Sequence, residues 1–194
     1  MSIFKTKWIV LKKINKEKQT IYIVFSQDYW KINLISNNSS KEKRIDLWYI
    51  ISFEIKTYEK NDIMKIKNIK IINEFNYLNY NFETIFLYQI ILTIIYKIVP
   101  AKKQIFNILE IFEKINLLSN KKNLWEEKIR EKIIFSWLKI LNILWFLNIN
   151  HKNPEIKKIL FFINNNNFQT ILKLTWLSLE NKKILEKIIT EKIK

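Results

Sequence analysis

The sequence predicts an α+β chain with its strands first and its helices after. Two observations carry that prediction. Up to about residue 74 the apolar residues recur with a period of two, and from about residue 75 they recur at spacings of three and four. The expected domains are therefore 1–74 and 75–194. A hydrophobic content of 48% over 194 residues is enough to bury a core in such an arrangement.

The clearest strand is IDLWYIISFEI, residues 45–55. Ile45, Leu47, Tyr49, Ile51, Phe53 and Ile55 are apolar, while Asp46, Ser52 and Glu54 lie between them, so one face is buried. Similar runs at 8–14, 21–25, 30–35 and 63–72 make five strands. The last slips phase between Ile66 and Ile69, as a β-bulge makes a strand do. Five short strands in about seventy residues are too few for two stacked sheets, which predicts a small closed or partly open barrel of the OB-fold kind. Gln27, Asp28 and Tyr29 form a tight turn, and longer loops fall at 36–43 and 57–62. The chain has no glycine, so Asn37 and Asn38 are expected wherever the backbone needs a positive φ.

The second half predicts an all-α helical bundle. Ile85, Tyr88, Ile91, Leu92 and Ile95 form one stripe, ended by Pro100. Ile105, Ile108, Leu109, Phe112 and Ile115 form the next. A third helix spans 125–147, and its second half is apolar nearly all round, which marks a helix at the centre of a bundle. Shorter helices are expected at 155–163, 168–177 and 179–193, with the run of four asparagines at 164–167 as a linker.

The most membrane-like stretches, 85–99 and 133–149, are shorter than a span of ~18 to 20 apolar residues and are interrupted by Gln89, Lys97, Lys139 and Asn142. They read as buried helices, and no membrane association is expected. The opening MSIFKTKWIVLKK lacks an uninterrupted apolar region and a small-residue cleavage site, so no signal peptide is expected.

The net charge is +16, with 34 Lys and Arg against 18 acids and a pI near 9.8. Only Arg44 and Arg130 are arginines, and the abundance of Ile, Lys, Asn, Leu and Phe tracks codons rich in A and T. Glu codons are also A-rich, so the surviving excess of cations points to an anionic partner. Both halves share it, at +7 for residues 1–74 and +9 for 75–194, so an extended anion such as a nucleic-acid backbone could touch either.

Several chemistries are excluded. Without cysteine there is no disulfide, thiolate zinc site or thiol nucleophile. Without glycine there is no P-loop or dinucleotide fingerprint, whose bare backbone N–H groups must reach phosphate. His151 is the only histidine and lies in a polar loop, so it reads as a surface residue rather than a metal ligand or triad member. The pairs Glu126 with Glu127 and Glu110 with Glu113 read as solvated helix faces. No cofactor, no metal and no catalytic residue are expected, and the chain reads as non-enzymatic.

The expected nucleic-acid contacts are lysines on the strand connections and aromatics able to stack bases. They comprise Lys12, Lys13, Lys16 and Lys18 in and around the first connector, and Lys41, Lys43 and Arg44 in the third. Lys31, and Lys65, Lys67 and Lys70 on the last strand, complete the cationic set. Of the seven tryptophans, Trp137 and Trp145 read as core. Trp48 lies opposite the apolar face of its strand, and Trp30 sits beside Lys31 at the mouth of a turn, so these two are the stacking candidates.

The order of parts, WIVLKK, a polar connector, IYIVFSQDYWKINLIS, a basic loop, two more strands and then FNYLNYNFETIFLYQIILTIIYKIVP, resembles RecO, the bacterial recombination mediator. The likeness extends over nearly the whole chain, with IFNILEIFEKI as second bundle helix and IIFSWLKILNILWFLNI as the central one. It departs from the family in three places. Tyr29 and Trp30 stand where a turn glycine is usual, residues 38–44 replace a Lys-Gly-x-Arg-like stretch, and the short loop 148–154 holds no zinc-finger cysteines. The resemblance implies a cytoplasmic, nucleoid-associated DNA-binding protein, monomeric on its own. Such a protein binds single- and double-stranded DNA, anneals complementary strands, engages single-stranded DNA-binding protein, and works with RecR to load RecA.

The residues alone also fit a structural nucleic-acid-binding subunit of an organellar ribosome from an AT-rich genome, which shares the charge and the absence of chemistry. A small membrane-associated protein is the third reading, and it predicts pelleting with lipid.

Overall fold

The computed structural model describes residues 6–26, 30–37, 45–56, 63–75, 80–99, 107–121, 126–175 and 177–191. The chain is α+β, five strands followed by helices. The strands are β1 (Trp8–Asn15), β2 (Gln19–Ser26), β3 (Trp30–Asn37), β4 (Ile50–Lys56) and β5 (Ile63–Asn73). The helices are α1 (Phe82–Ile98), α2 (Ile108–Ser119), α3 (Glu126–Ile143), α4 (Pro154–Asn165), α5 (Phe168–Ile171) and α6 (Leu179–Glu191). Every strand expected from the period-two pattern is present. Of the loop expected at 36–43, Ser36 and Asn37 instead extend β3, and the rest lies outside the described residues, as do the loop expected at 57–62 and the turn at 27–29.

Strand order in the sheet is β1-β2-β3-β5-β4. Pairings are antiparallel for β1 with β2, β2 with β3, and β4 with β5. β3 and β5 run parallel from the pair Asn33 and Ile63 to the pair Ile35 and Lys65. β4 also meets β1, through the pairs Trp8 with Ile51 and Ile9 with Ile50. Alternate side chains on these strands share a face. Trp8, Val10, Tyr22, Val24, Leu34, Ile45, Ile51 and Phe53 make one buried cluster, with the Trp8 and Phe53 rings stacked at 5.2 Å. Full burial of each such side chain contributes roughly 1.5–3 kcal/mol. The intervening residues Ile9, Ile23, Phe25 and Ile50 are buried as well. This part of the sheet is therefore covered on both faces.

β4 starts at Ile50, five residues after the expected strand start. The alternation does continue through 45–49, with Ile45 inside the cluster and Leu47 and Tyr49 packed against it. The backbone, however, turns at residues 47 and 48. Trp48 N–H donates to Val10 O at 3.1 Å, Val10 N–H donates to Tyr49 O at 3.0 Å, and Trp48 has φ 69°. Side-chain period reports which way a residue faces and is silent about such a turn.

Three register shifts adjust the strands, one of them on β5 between the pairs Ile50 with Asn73 and Ile51 with Ile71. In β1 the register with β2 shifts between Val10 and Lys12. In β5 Lys70 pairs with Ser52 but Lys67 pairs with Glu54, which leaves one extra residue on β5. This is the phase slip expected between Ile66 and Ile69. Asn68 sits in it at φ 52°, and its amide donates to Glu54 Oε2 at 2.7 Å. Asparagine does take left-handed positions in this glycine-free chain, but at Asn68 and Asn107 (φ 73°). Asn37 instead is the last residue of β3, paired with Gln19, and Asn38 lies outside the described residues.

The chain divides into two compact units. One comprises residues 1–75 and 92–117, the other 76–91 and 118–194. The strand-bearing unit thus takes in helical segments as well as the expected 1–74, because cover for the second face of the sheet comes from later in the chain. Asn116 of α2 donates to Trp48 O at 2.9 Å, and Lys7 pairs with Glu113 at 2.7 Å.

In the other unit α3 is buried without a break from Glu131 to Leu138 and packs against α4, α5 and α6, the central position expected for it. Its polar groups are matched. Trp137 Nε1–H donates to Leu87 O at 2.9 Å, and Glu131 pairs with Lys182 at 3.0 Å. Arg130 joins Glu186 at 2.7 Å and Glu83 at 2.6 Å. The Glu186 hydrogen bonds, more than any other influence, raise the pKa of the Arg130 guanidinium.

Helix ends show how the chain manages without glycine. At the N-termini of α1, α4 and α5 asparagine supplies the cap, and at that of α6 Ser178 does. Asn153 accepts from the N–H of Glu155 and Ile156, Asn81 from Thr84, and Asn167 from Thr170. At the end of α4 and beyond α5, lysine ammoniums from α3 take free carbonyls. Lys139 of α3 donates to Ile163 O at 3.1 Å and Asn166 O at 2.7 Å at the end of α4, and Lys132 donates to Leu174 O just past α5. Burial lowers the pKa of both lysines.

Among the described residues no helix is long and apolar enough to cross a membrane.

Candidate nucleic-acid interface

The first connector is a tight turn in which Lys16 N–H donates to Gln19 O at 2.8 Å. Lys16 and Lys18 are both exposed there. The two lysines that precede the turn both follow the bulge after Val10 and are neighbours on β1. Lys12 pairs with Ile23 and Lys13 with Tyr22, so they face opposite sides of the ribbon. Lys13, on the side of the buried cluster, donates to Ile45 O at 2.8 Å with Asp46 at 3.8 Å. Its ammonium holds the segment that leads into β4.

Lys12 remains exposed, with its ammonium 4.9 Å from the centre of the Tyr96 ring. Lys31 approaches the same ring to 5.3 Å. Its ammonium also donates to Tyr96 O and Val99 O, each at 2.9 Å, so Lys31 closes the C-terminal end of α1. This corrects the expectation for Lys31: two of its three protons are committed to carbonyls. Tyr96 therefore lies between a structural lysine and an exposed one, each worth roughly 0.5–1 kcal/mol as a cation–π contact at the surface.

Trp48 requires the larger correction. It was expected to be exposed for base stacking, and it is only 9% exposed, with its ring meeting Phe75 edge-on at 5.9 Å. It does lie outside the buried cluster of the sheet, in the turn that precedes β4, where the Phe75 ring packs against it.

Lys70 is exposed on β5 beside Ser52. Lys65 and Lys67 occupy β5 positions opposite Lys56 and Glu54, and Trp30 pairs with Ser26 in β3, but their side chains fall outside the described ones. Lys41, Lys43 and Arg44 lie outside the described residues altogether. Of the expected set, the structure thus presents Lys12, Lys16, Lys18 and Lys70 to solvent and commits Lys13, Lys31 and Trp48 to the fold.

No family model matches the chain. No curated protein matches it either. The functional reading consequently rests on this chain's own residues.

His151 is half-buried and accepts the Asn153 N–H on Nδ1 at 3.1 Å, a local turn ahead of α4. Among the described residues no group of three or more His, Asp or Glu is placed to hold a metal.

One residue that sequence reading placed in the core stands outside it. α3 ends at Ile143, short of the expected Leu147, and Trp145 is 92% exposed. Trp145 N–H donates to Asn142 O at 3.0 Å and Phe146 N–H donates to Leu141 O at 2.8 Å, the paired bonds of a Schellman motif. Trp145 takes the left-handed position of that motif at φ 65°, where a residue with a Cβ costs roughly 1–2 kcal/mol. The run NILWFLNI holds neither glycine nor proline to announce the stop. Nothing in its periodicity could have revealed it.

Proposed function

We propose that this chain is a non-enzymatic DNA-binding protein that anneals complementary single strands, in the manner of the RecO proteins its segment order resembles. The single observation that carries the reading is the strand arrangement together with its first turn. The order β1-β2-β3-β5-β4, with a parallel β3–β5 pair and β4 returning to β1, fits an OB-like barrel. In that fold the connection between the first two strands borders the nucleic-acid surface, and here it carries exposed Lys16 and Lys18.

The physical logic needs no active site. Annealing holds two phosphate backbones close against their repulsion, and lysines that neutralise them release condensed counterions. On this reading the protein acts in the cytoplasm at the nucleoid, on single- and double-stranded DNA, with RecR and single-stranded DNA-binding protein as partners in loading RecA. That partner set follows from the resemblance.

The test is annealing of complementary oligonucleotides across a salt series. Accelerated annealing that weakens steeply with salt supports the reading. No acceleration at any salt concentration overturns it, and preferential binding to structured RNA transfers the chain to the ribosomal alternative.

A further inference from the structure

We infer that Trp145 is a stacking post for an unpaired base of single-stranded nucleic acid, presented by the C-terminal end of α3. This rests on the nucleic-acid reading above and extends it to the unit formed by residues 76–91 and 118–194.

Three observations meet at this residue. The first is exposure: the ring is 92% exposed, and the adjoining Phe146 is 44% exposed. An indole left in water is an unused hydrophobic surface, and a π-face is what every base stacks on irrespective of sequence.

The second is conformation. Four described residues have positive φ, namely Trp48, Asn68, Asn107 and Trp145. At Asn68 and Asn107, both exposed, the chain uses asparagine, which tolerates the left-handed region. Trp48 is offset by burial against Phe75. Trp145 has neither advantage. Asparagine there would close the same Schellman motif at lower strain, so the fold has no use for the indole at this position. Strain without a folding return points to a role toward a ligand. The two backbone bonds of the motif fix the backbone from which the indole projects.

The third is charge. Residues 144–161 carry exposed Lys152, Lys157 and Lys158 against a single acid, Glu155, whose carboxylate accepts from Asn181 Nδ2 at 3.0 Å. The chain that follows the indole, through the first turn of α4, thus carries the charge that attracts phosphate. An acidic or purely apolar occupant uses only one of these two features, whereas single-stranded nucleic acid uses both.

The experiment compares wild type, Trp145→Asn and Trp145→Phe for binding a labelled oligothymidylate and an abasic oligonucleotide of equal length. Trp145→Asn keeps the left-handed backbone and removes the ring, so it melts no lower than wild type. Removal of the stacking ring is expected to weaken oligothymidylate binding about 5- to 150-fold, with Trp145→Phe in between. The slope of affinity against salt and the affinity for the abasic strand stay unchanged, because every phosphate keeps its lysine. Equal affinity of wild type and Trp145→Asn for oligothymidylate overturns the stacking post alone, and so does an equal loss on the abasic strand. Loss of binding to anionic vesicles with no change on oligonucleotides assigns the ring to lipid and likewise overturns it. A wild type that binds neither oligonucleotide overturns the nucleic-acid reading together with this one.

Discussion

The ammonium of Lys31 lies 2.9 Å from the carbonyl oxygen of Val99, a residue 68 positions away that follows the last turn of α1. The same ammonium takes the Tyr96 carbonyl. In many proteins a glycine in the left-handed conformation closes such a helix end, but this chain has none. Lys31, Lys132 and Lys139 each serve a C-terminal end instead. Part of the positive charge that looks like a nucleic-acid footprint is therefore consumed inside the fold.

Replacing Lys31 with Met leaves the Tyr96 and Val99 carbonyls unserved. Urea unfolding is expected to show a loss of about 1–3 kcal/mol. The salt slope of oligonucleotide binding should match that of wild type, since this ammonium faces carbonyls. A reduced slope with undiminished stability would return Lys31 to the phosphate-binding set.

Lys139→Met is expected to destabilise by a similar amount, with a deficit that varies with pH. Burial holds the Lys139 pKa below its ordinary 10.5. Between the folded pKa and 10.5 the unfolded chain binds more protons, so this lysine's contribution to stability grows as pH rises and is lost as pH falls through the folded pKa. The variant lacks that contribution, and its deficit widens toward pH 10.5. Burial also raises the pKa of Tyr88, but that effect is common to both proteins and cancels in the difference. Denaturation at a series of alkaline pH values measures it.

Lys16 and Lys18 behave oppositely. Both are exposed at the β1–β2 turn, so the double alanine variant should unfold within about 0.5 kcal/mol of wild type. It should bind single strands more weakly, with the salt slope reduced by about 0.7 for each phosphate no longer neutralised. An unchanged slope would clear this turn of any role in binding.

Trp48→Ala removes a buried ring and should cost about 3–5 kcal/mol. Where the variant still folds, its oligonucleotide affinity and salt slope should equal those of wild type. A large affinity loss without a stability loss would restore Trp48 to the stacking role read from its strand.

The types and order of the elements, the core face of the run 45–55, the bulge at Asn68 and the central place of α3 were all legible in the amino-acid sequence. These follow from local periodicity, because a period of two or 3.6 dictates which side chains share a side whatever the partner is. Which cations and rings are available was settled by the folded arrangement alone. Lys12 and Lys31 have the same chemistry and approach the same Tyr96 ring, yet one faces solvent and the other closes a helix end, depending on where the end of α1 passes. Trp48 and Trp145 likewise exchanged their expected places. One was buried against Phe75, with Asn116 on its carbonyl, and the other was released by a helix stop that no glycine announces. Exposure is set by what lies across a face, and that neighbour comes from distant sequence.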